Sequence, residues 1–254
     1  MSHIILEHAS LTFPIYGTET RSLKHNLIKA TIGGKLRHGN TKFIEVKALH
    51  DINLSILTGD RVGLIGHNGA GKSTLLKVMA GIYAPSSGTV NIEGSTSSLL
   101  DLNVGMQQHL SGYENIRIRG LILGMNQHQI QKLREDVENF TELGDYLSMP
   151  IRIYSSGMQM RLAFALSTAS QPDILLVDEV IGAGDSSFME KAKKRIESFI
   201  HHANILVLAS HDCNVLRQFC NKVIWLEHGQ IKIQGLTEEV IEYYMNPQEV
   251  SIPV

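Results

Sequence analysis

The chain has little of what marks several protein classes. It holds two cysteines in 254 residues, Cys213 and Cys220, and their spacing matches neither a metal site nor a redox motif. A disulfide scaffold is therefore excluded, and both thiols are expected to be reduced. The formal net charge is only −2, which gives no broad basic surface for nucleic acid. No apolar run approaches the ~20 residues needed to span a bilayer. The apolar part of Met1–Glu7 is too short for a secretory signal, so the chain is expected to stay in the cytoplasm. The 12 histidines are scattered and form no metal-ligand spacing. Internal repeats and low-complexity linkers are likewise missing. The length allows one large domain or two small ones with ample core.

The stretch Val62–Thr74, VGLIGHNGAGKST, organises what is present. A short apolar run leads into Gly66, His67, Asn68, Gly69, Ala70, Gly71, Lys72 and Ser73. Residues from Thr74 to Met79 then have helical composition. This is the strand–loop–helix order of a P-loop. Polyphosphate is large and negative, so backbone N–H groups must curl around it. Glycines permit that curl, and the start of the helix adds a positive dipole end. Lys72 has the length to reach β- and γ-phosphates, and Ser73 suits Mg²⁺. A nucleoside triphosphate with Mg²⁺ is the expected ligand.

Three further signals follow in order. Ile174–Val177 reads as a strand buried on both faces, ending in Asp178 and Glu179. Asp178 suits Mg²⁺, and Glu179 suits polarising an attacking water. Tyr154-Ser155-Ser156-Gly157-Met158 opens a helix, where a hydroxyl and a glycine amide make a second anion site. His211 stands at the end of the last buried strand, Ile205–Ala209. The remaining pattern is mixed. Strand-like alternation runs over His3–Tyr16 and Glu45–Ile56. Residues 111–166 are mostly helical, best seen from Asn126 with Ile130, Leu133, Val137 and Phe140 on one face. A hairpin turns at Glu227-His228-Gly229-Gln230, and Thr237 is expected to cap a last helix.

With these motifs the sequence resembles the ATP-binding-cassette family. Ser155 and Gly157 match its signature motif, while Tyr154, Ser156 and Met158 depart from the usual Leu-Ser-Gly-Gly-Gln. His211 matches the switch histidine. Asp185, in Gly182-Ala183-Gly184-Asp185, matches the D-loop aspartate. The resemblance implies catalysis by Glu179, His211 and Lys72, nucleotide contacts from residues 66–74, and Ser155, Ser156 and Gly157 acting on the partner subunit's nucleotide. It implies metal contacts from Ser73 and Asp178. By spacing to Ser111, Asp101 falls near the family's Q-loop glutamine, with Gln107 and Gln108 a few residues on. Tyr16 is the candidate for stacking on adenine, since an aromatic offers a flat apolar face, and Phe13 is the alternate.

Finer resemblance is to the ATPase subunits of polysaccharide exporters of the O-antigen, capsule and teichoic-acid type. It rests on Phe13-Pro14-Ile15-Tyr16, the insertion before Leu49, Ser111-Gly112-Tyr113-Glu114-Asn115-Ile116 and the segment from Val177 to Asp185. Some relatives carry a further C-terminal carbohydrate-binding domain, which this sequence is expected to lack. The implied fold is α/β: a RecA-like parallel sheet, an antiparallel β subdomain and an inserted helical subdomain. The implied organisation is a single cassette over 1–254. Residues 1–100 would be β-rich with the P-loop, 101–166 helical, and 167–254 the rest of the core. The implied assembly is a homodimer with ATP and Mg²⁺, on a separate permease at the cytoplasmic face of the cytoplasmic membrane. There it would power export of a lipid-linked glycan, with no nucleic acid involved. Alternatives are another transport cassette, an importer for instance, and a soluble cassette of DNA repair or translation. A repair cassette would insert a long coiled coil, yet sustained heptads are missing here. A translation cassette usually carries two such units per chain, against one here.

The insertion 20–44 is a departure from a minimal cassette. Arg21, Lys24, Lys29, Lys35, Arg37 and Lys42 occur in it without an acid, and Leu23, Leu27 and Ile28 would share one face of a short helix. Each cation near an anionic membrane surface is worth about 1 kcal/mol. The segment is expected to touch the permease or the lipid-linked glycan at that surface. Replacing all six cations with Gln should leave ATPase activity of the isolated protein near normal and impair export in cells. Unchanged export and permease association would mark the segment as a solvated loop instead.

Overall fold

The computed structural model describes residues 1–16, 36–37, 43–99, 105–178 and 186–246, with side chains at all of these except 15, 16, 36, 37, 43, 44, 186 and 187. Several expectations therefore lie outside the described residues: the side chain of Tyr16, most of the basic insertion with its short helix, and Asp101, Glu179 and Asp185. The chain forms two compact units, one of residues 1–100, 173–180 and 204–254, the other of 101–172 and 181–203.

The first unit holds two sheets. In the antiparallel one, β1 (His3–Tyr16) lies between β3 (Phe43–Leu57) and β5 (Ser87–Glu93), and β2 (Leu36–Arg37) pairs with β3 at the edge. Alternation along β1 and β3, shifted by irregularities between Leu6 and Leu11 and the residues they pair with, buries Ile4, Leu6, Leu11, Leu49, Ile52 and Ile56. The other sheet has the order β10-β9-β4-β8-β7-β6. Its members are β4 (Arg61–Ile65), β6 (Thr96–Leu99), β7 (Ile174–Asp178), β8 (Ile205–Ala209), β9 (Lys222–Glu227) and β10 (Gln230–Leu236). All its pairings are parallel except the β9–β10 hairpin. β7 and β8 are apolar and buried almost throughout, as strands covered on both faces must be. Strand β6 is polar and carries no such signal, and its pairing with β7 follows from Asp173. That carboxylate accepts from the backbone N–H and hydroxyl of Ser95 at 2.8 and 2.7 Å. These bonds hold its pKa below the ordinary aspartate range.

Helix α1 (Lys72–Met79) follows β4 and buries Leu75, Leu76, Val78 and Met79 in the core shared by both sheets. The second unit is helical: α2 (Gly112–Ile122), α3 (Gln127–Thr141), α4 (Ser156–Ser167) and α5 (Ser186–His202), with two short 3-10 turns at Gly144–Ser148 and Ile151–Ile153. Asn126 caps α3 in a reciprocal pair with Gln129, and Leu133 and Val137 are buried on its inner face. Ser111 and Glu114 cap α2 in the same way, and the bonds from Ser111 lower the Glu114 pKa. Helices α6 (Cys213–Phe219) and α7 (Thr237–Met245) return to the first unit. The cap of α7 is Leu236, not Thr237. The Thr237 hydroxyl donates instead to the Cys220 carbonyl at 2.9 Å, which ties the start of α7 to the end of α6.

Cys220 is 9% exposed, and burial, partly offset by the charge of Arg61, pushes its thiol up to about 12. At pH 8 only about one Cys220 in ten thousand is then a thiolate, the form that reacts. A thiol reagent at pH 8 should titrate one cysteine, Cys213, rapidly in the native protein and two after denaturation. Equal rates for both in the native state would contradict the buried placement.

Candidate functional site

Strands β4, β7 and β8 run parallel and in register. Leu64 pairs with Ala209, and Asp178 pairs with the same residue from the other side. Their carboxyl ends therefore open on one edge, where parallel α/β sheets place ligands. From β4 the chain enters the glycine loop, from β7 it presents Asp178, and from β8 it continues through Ser210 to His211. These residues surround a cavity of about 490 Å³ lined by Asn68, Gly69, Gly71, Lys72, Ser73, Thr74, Asp178 and His211. Phe13, Val46, Lys47, Ala48, His228 and Gly229 complete its lining.

Lys72 is 7% exposed. Its Nζ donates to the carbonyls of Gly66 at 2.7 Å and His67 at 3.3 Å, and it lies 3.3 Å from Nε2 of His211. The ammonium is held over the phosphate-binding loop, within one side-chain length of any anion in the cavity. Helix α1 directs its N-terminus there, with Gly71 as the cap at φ 109°. Helix dipole and ammonium thus add to a positive field at one point. Oxygen donors from Ser73 and Asp178 border the same space. A hydroxyl and a carboxylate beside a phosphate site suit a small hard cation such as Mg²⁺, which keeps waters and phosphate oxygens as its other ligands.

The loop is held by groups distant in sequence. Gly66, at φ 150°, passes so close to β9 that a Cβ there would lie 2.2 Å from the Leu226 carbonyl oxygen. Gly229, in the β9–β10 turn, donates its N–H to the Ala70 carbonyl at 2.9 Å and accepts from the His50 N–H at 2.8 Å. His67 donates from Nδ1 to the Asn68 carbonyl at 2.8 Å. The His67 ring lies against His228, the centroids 4.9 Å apart. Nε2 of His67 is buried without a partner. His228, Gly229 and Ala48 are members of the cavity wall that sequence reasoning missed. The hairpin itself was legible, but nothing local says that its turn docks on a loop 160 residues earlier.

In the second unit, Ser155 caps α4, accepting from the Met158 N–H at 3.3 Å. Ser155, Ser156 and Gly157 are exposed, and a Cβ on Gly157 would meet open space. The helix end is thus exposed. Tyr154 stands where the family has leucine. It is buried, and its hydroxyl donates to the Tyr146 carbonyl at 2.6 Å. Burial raises its pKa, so the hydroxyl remains a donor. Gln107 and Gln108 are exposed. The segment that carries them is folded around Asn115, a residue of the Ser111–Ile116 stretch. Asn115 is 3% exposed. Its side chain accepts from the Gln107 N–H and donates to the carbonyls of Gln107, Leu110 and Ser111.

A glycine loop bearing a buried lysine, between a parallel strand and a helix and facing an aspartate from a neighbouring strand, defines a P-loop nucleotide-binding protein. The family is narrower. Residues 49–182 match the ABC transporter family, and the chain belongs to it as an ATP-binding, ATP-hydrolysing type of subunit. It is 45% identical to the O-antigen export system ATP-binding protein RfbE of Yersinia enterocolitica over 91% of this chain and 97% of that protein. Identity to the O-antigen export system ATP-binding protein RfbB of Klebsiella pneumoniae is 34%, covering 95% and 96%. The teichoic acids export ATP-binding protein TagH of Listeria monocytogenes is 37% identical over 95% of this chain and 69% of its own length. Among solved structures, a dimeric ATP-binding cassette in a post-hydrolysis state with ADP and Pi superposes with a TM-score of 0.66 at 22% identity, covering 92% of this chain and 98% of that one. An ATP-binding subunit of an ABC transporter gives 0.68 at 19%, covering 98% and 95%. Both share the fold.

The clamp on the P-loop is open to a direct test. A Cβ on Gly229 would lie 2.5 Å from the Ala48 carbonyl oxygen, and φ is +78°. Gly229→Ala should cost about 1–3 kcal/mol in denaturant unfolding and weaken ATP binding by tenfold or more. Gly59 has φ +95° with open space around it. Gly59→Ala should cost stability without changing ATP affinity. Equal ATP affinity in the two variants would show that the hairpin does not hold the loop.

Proposed function

We propose that this chain is the ATPase of a polysaccharide exporter, a homodimer docked on a separate permease at the cytoplasmic face of the membrane. The observation that carries this reading is the convergence of Lys72, Ser73, Asp178 and His211 on one cavity, in a chain whose near full-length relative is named for O-antigen export. Among the described residues no helix is long and apolar enough to cross a membrane, which fits a peripheral subunit working with a separate membrane partner. The two units are read as one functional cassette.

In this mechanism the loop amides of residues 66–71 bind the phosphates. Lys72 exchanges its bonds to the Gly66 and His67 carbonyls for β- and γ-phosphate oxygens. Ser73 and Asp178 would hold Mg²⁺, with Asp101, Gln107 or Gln108 as the candidate further contact. The metal would neutralise charge developing on the transferred phosphoryl group. Glu179 follows Asp178 and polarises the attacking water, and His211 contacts the γ-phosphate. Phe13 lines the cavity and, with Tyr16, is the candidate platform for adenine. Ser155, Ser156 and Gly157 act on the nucleotide of the partner subunit, and Asp185 is the D-loop aspartate. The transported substrate in this reading is a lipid-linked glycan.

Glu179→Gln keeps shape and hydrogen bonding and removes the base. ATP should still bind, hydrolysis should fall by about a hundredfold or more, and an ATP-held dimer should accumulate in size-exclusion chromatography. Lys72→Ala should lose ATP binding itself. Near-normal turnover in pure Glu179→Gln protein would remove the assignment. Co-purification with a permease of another transport class would remove the export reading while leaving the ATPase intact.

A further inference from the structure

The lining of the cavity contains Phe13, and Phe13 does not stand alone. Its ring meets that of Tyr83 edge to face, with centroids 5.3 Å apart and planes at 74°. Both rings are partly buried against the same core. Tyr83 sits just beyond the C-terminal end of α1, where its N–H donates to the Lys77 carbonyl at 3.2 Å and the Ile82 N–H donates to the same oxygen at 2.9 Å. The Lys77 ammonium lies 5.7 Å from the centroid of the Tyr83 ring. One rigid helix thus carries both ends of the arrangement. Its first residues, Lys72, Ser73 and Thr74, border the phosphate end of the cavity. Its last turn and the residues after it hold the ring that fixes Phe13.

We propose that Tyr83 is a positioning residue for nucleotide binding, setting the angle of the Phe13 ring and tying the base platform to the phosphate-binding helix. The inference rests on the reading of this cavity as the nucleotide site. An aromatic wall stabilises a stacked base only when the ring is already in place, because ordering it at the moment of binding subtracts from affinity. The edge-to-face contact supplies that order, since the positive rim of one ring rests on the negative face of the other. The cation of Lys77 beside the Tyr83 ring is attracted by the same quadrupole. Phosphate and base are then recognised at a fixed separation, so Tyr83 should affect binding of a nucleotide and leave binding of its phosphates alone.

The test compares ATP with inorganic triphosphate, which has the phosphates and no base, by calorimetry on the intact protein. Tyr83→Leu keeps apolar bulk and loses the ring. It should weaken ATP by about three- to tenfold, the range of one aromatic pair, and triphosphate by less than about twofold. Tyr83→Phe keeps the ring and should restore ATP affinity to within about twofold of the parent. In a Phe13→Leu background, Tyr83→Leu should add little. Should thermal unfolding show Tyr83→Leu to be misfolded, Tyr83→Met, unbranched and able to fill the same space, is held to the same outcomes. Unchanged ATP affinity, equal weakening of both ligands, or a full additive loss in the Phe13→Leu background would each overturn the proposal. A parent protein that binds neither ligand would instead overturn the nucleotide reading of the cavity, which keeps the two failures apart.

Discussion

Polyphosphate binding by backbone amides imposes a hard condition: the loop must be shaped before the ligand arrives. In this protein the Lys72 ammonium ties the Gly66 and His67 carbonyls from within, and backbone holds the loop from outside. Gly66 is pressed against the Leu226 carbonyl, and the Gly229 N–H bonds to the Ala70 carbonyl. Both contacts come from the β9–β10 hairpin. β9 in turn lies beside β4 in the sheet, Ile65 pairing with Trp225. The geometry of the loop is therefore a consequence of strand order. A side chain at either glycine would force two backbones apart, and the N–H groups would no longer converge.

The same strand order gathers the charged groups. Parallel neighbours in register place their carboxyl ends level, so the loop lysine, Asp178 and His211 meet although more than a hundred residues separate the first from the other two. The lysine in particular is nearly buried, which is tolerable for an ammonium bonded to the Gly66 and His67 carbonyl oxygens. The second unit follows the opposite logic. Its interior is apolar and aromatic, with Phe140, Phe164 and Phe188 in mutual contact. Its candidate signature residues, Ser155, Ser156 and Gly157, are exposed at the N-terminus of α4.

The departures from the family pattern have local physical explanations. Tyr154 replaces a leucine yet is buried like one, and its additional hydroxyl is satisfied by a carbonyl one 3-10 turn away. The segment carrying Gln107 and Gln108 takes its shape from Asn115, whose amide satisfies backbone groups that no helix or strand provides for.

Sequence alone determined the elements and the chemistry of the site. The glycine spacing, the apolar runs Ile174–Val177 and Ile205–Ala209, and the capped pattern after Asn126 are local signals, because dihedral freedom, burial on both faces and helix capping each act over a few residues. It put Tyr16 ahead of Phe13 as the base platform; Phe13 lines the cavity, and the Tyr16 side chain lies outside the described residues. It also passed over β6, whose polar residues Thr96, Ser97 and Ser98 pair with β7 for reasons that lie in Asp173. Only the tertiary structure decided that the His228–Gly229 turn clamps the P-loop and that Tyr83 backs Phe13. These contacts join residues 70 to 160 positions apart. They arise from strand order and close backbone approach, which leave no periodicity in a sequence.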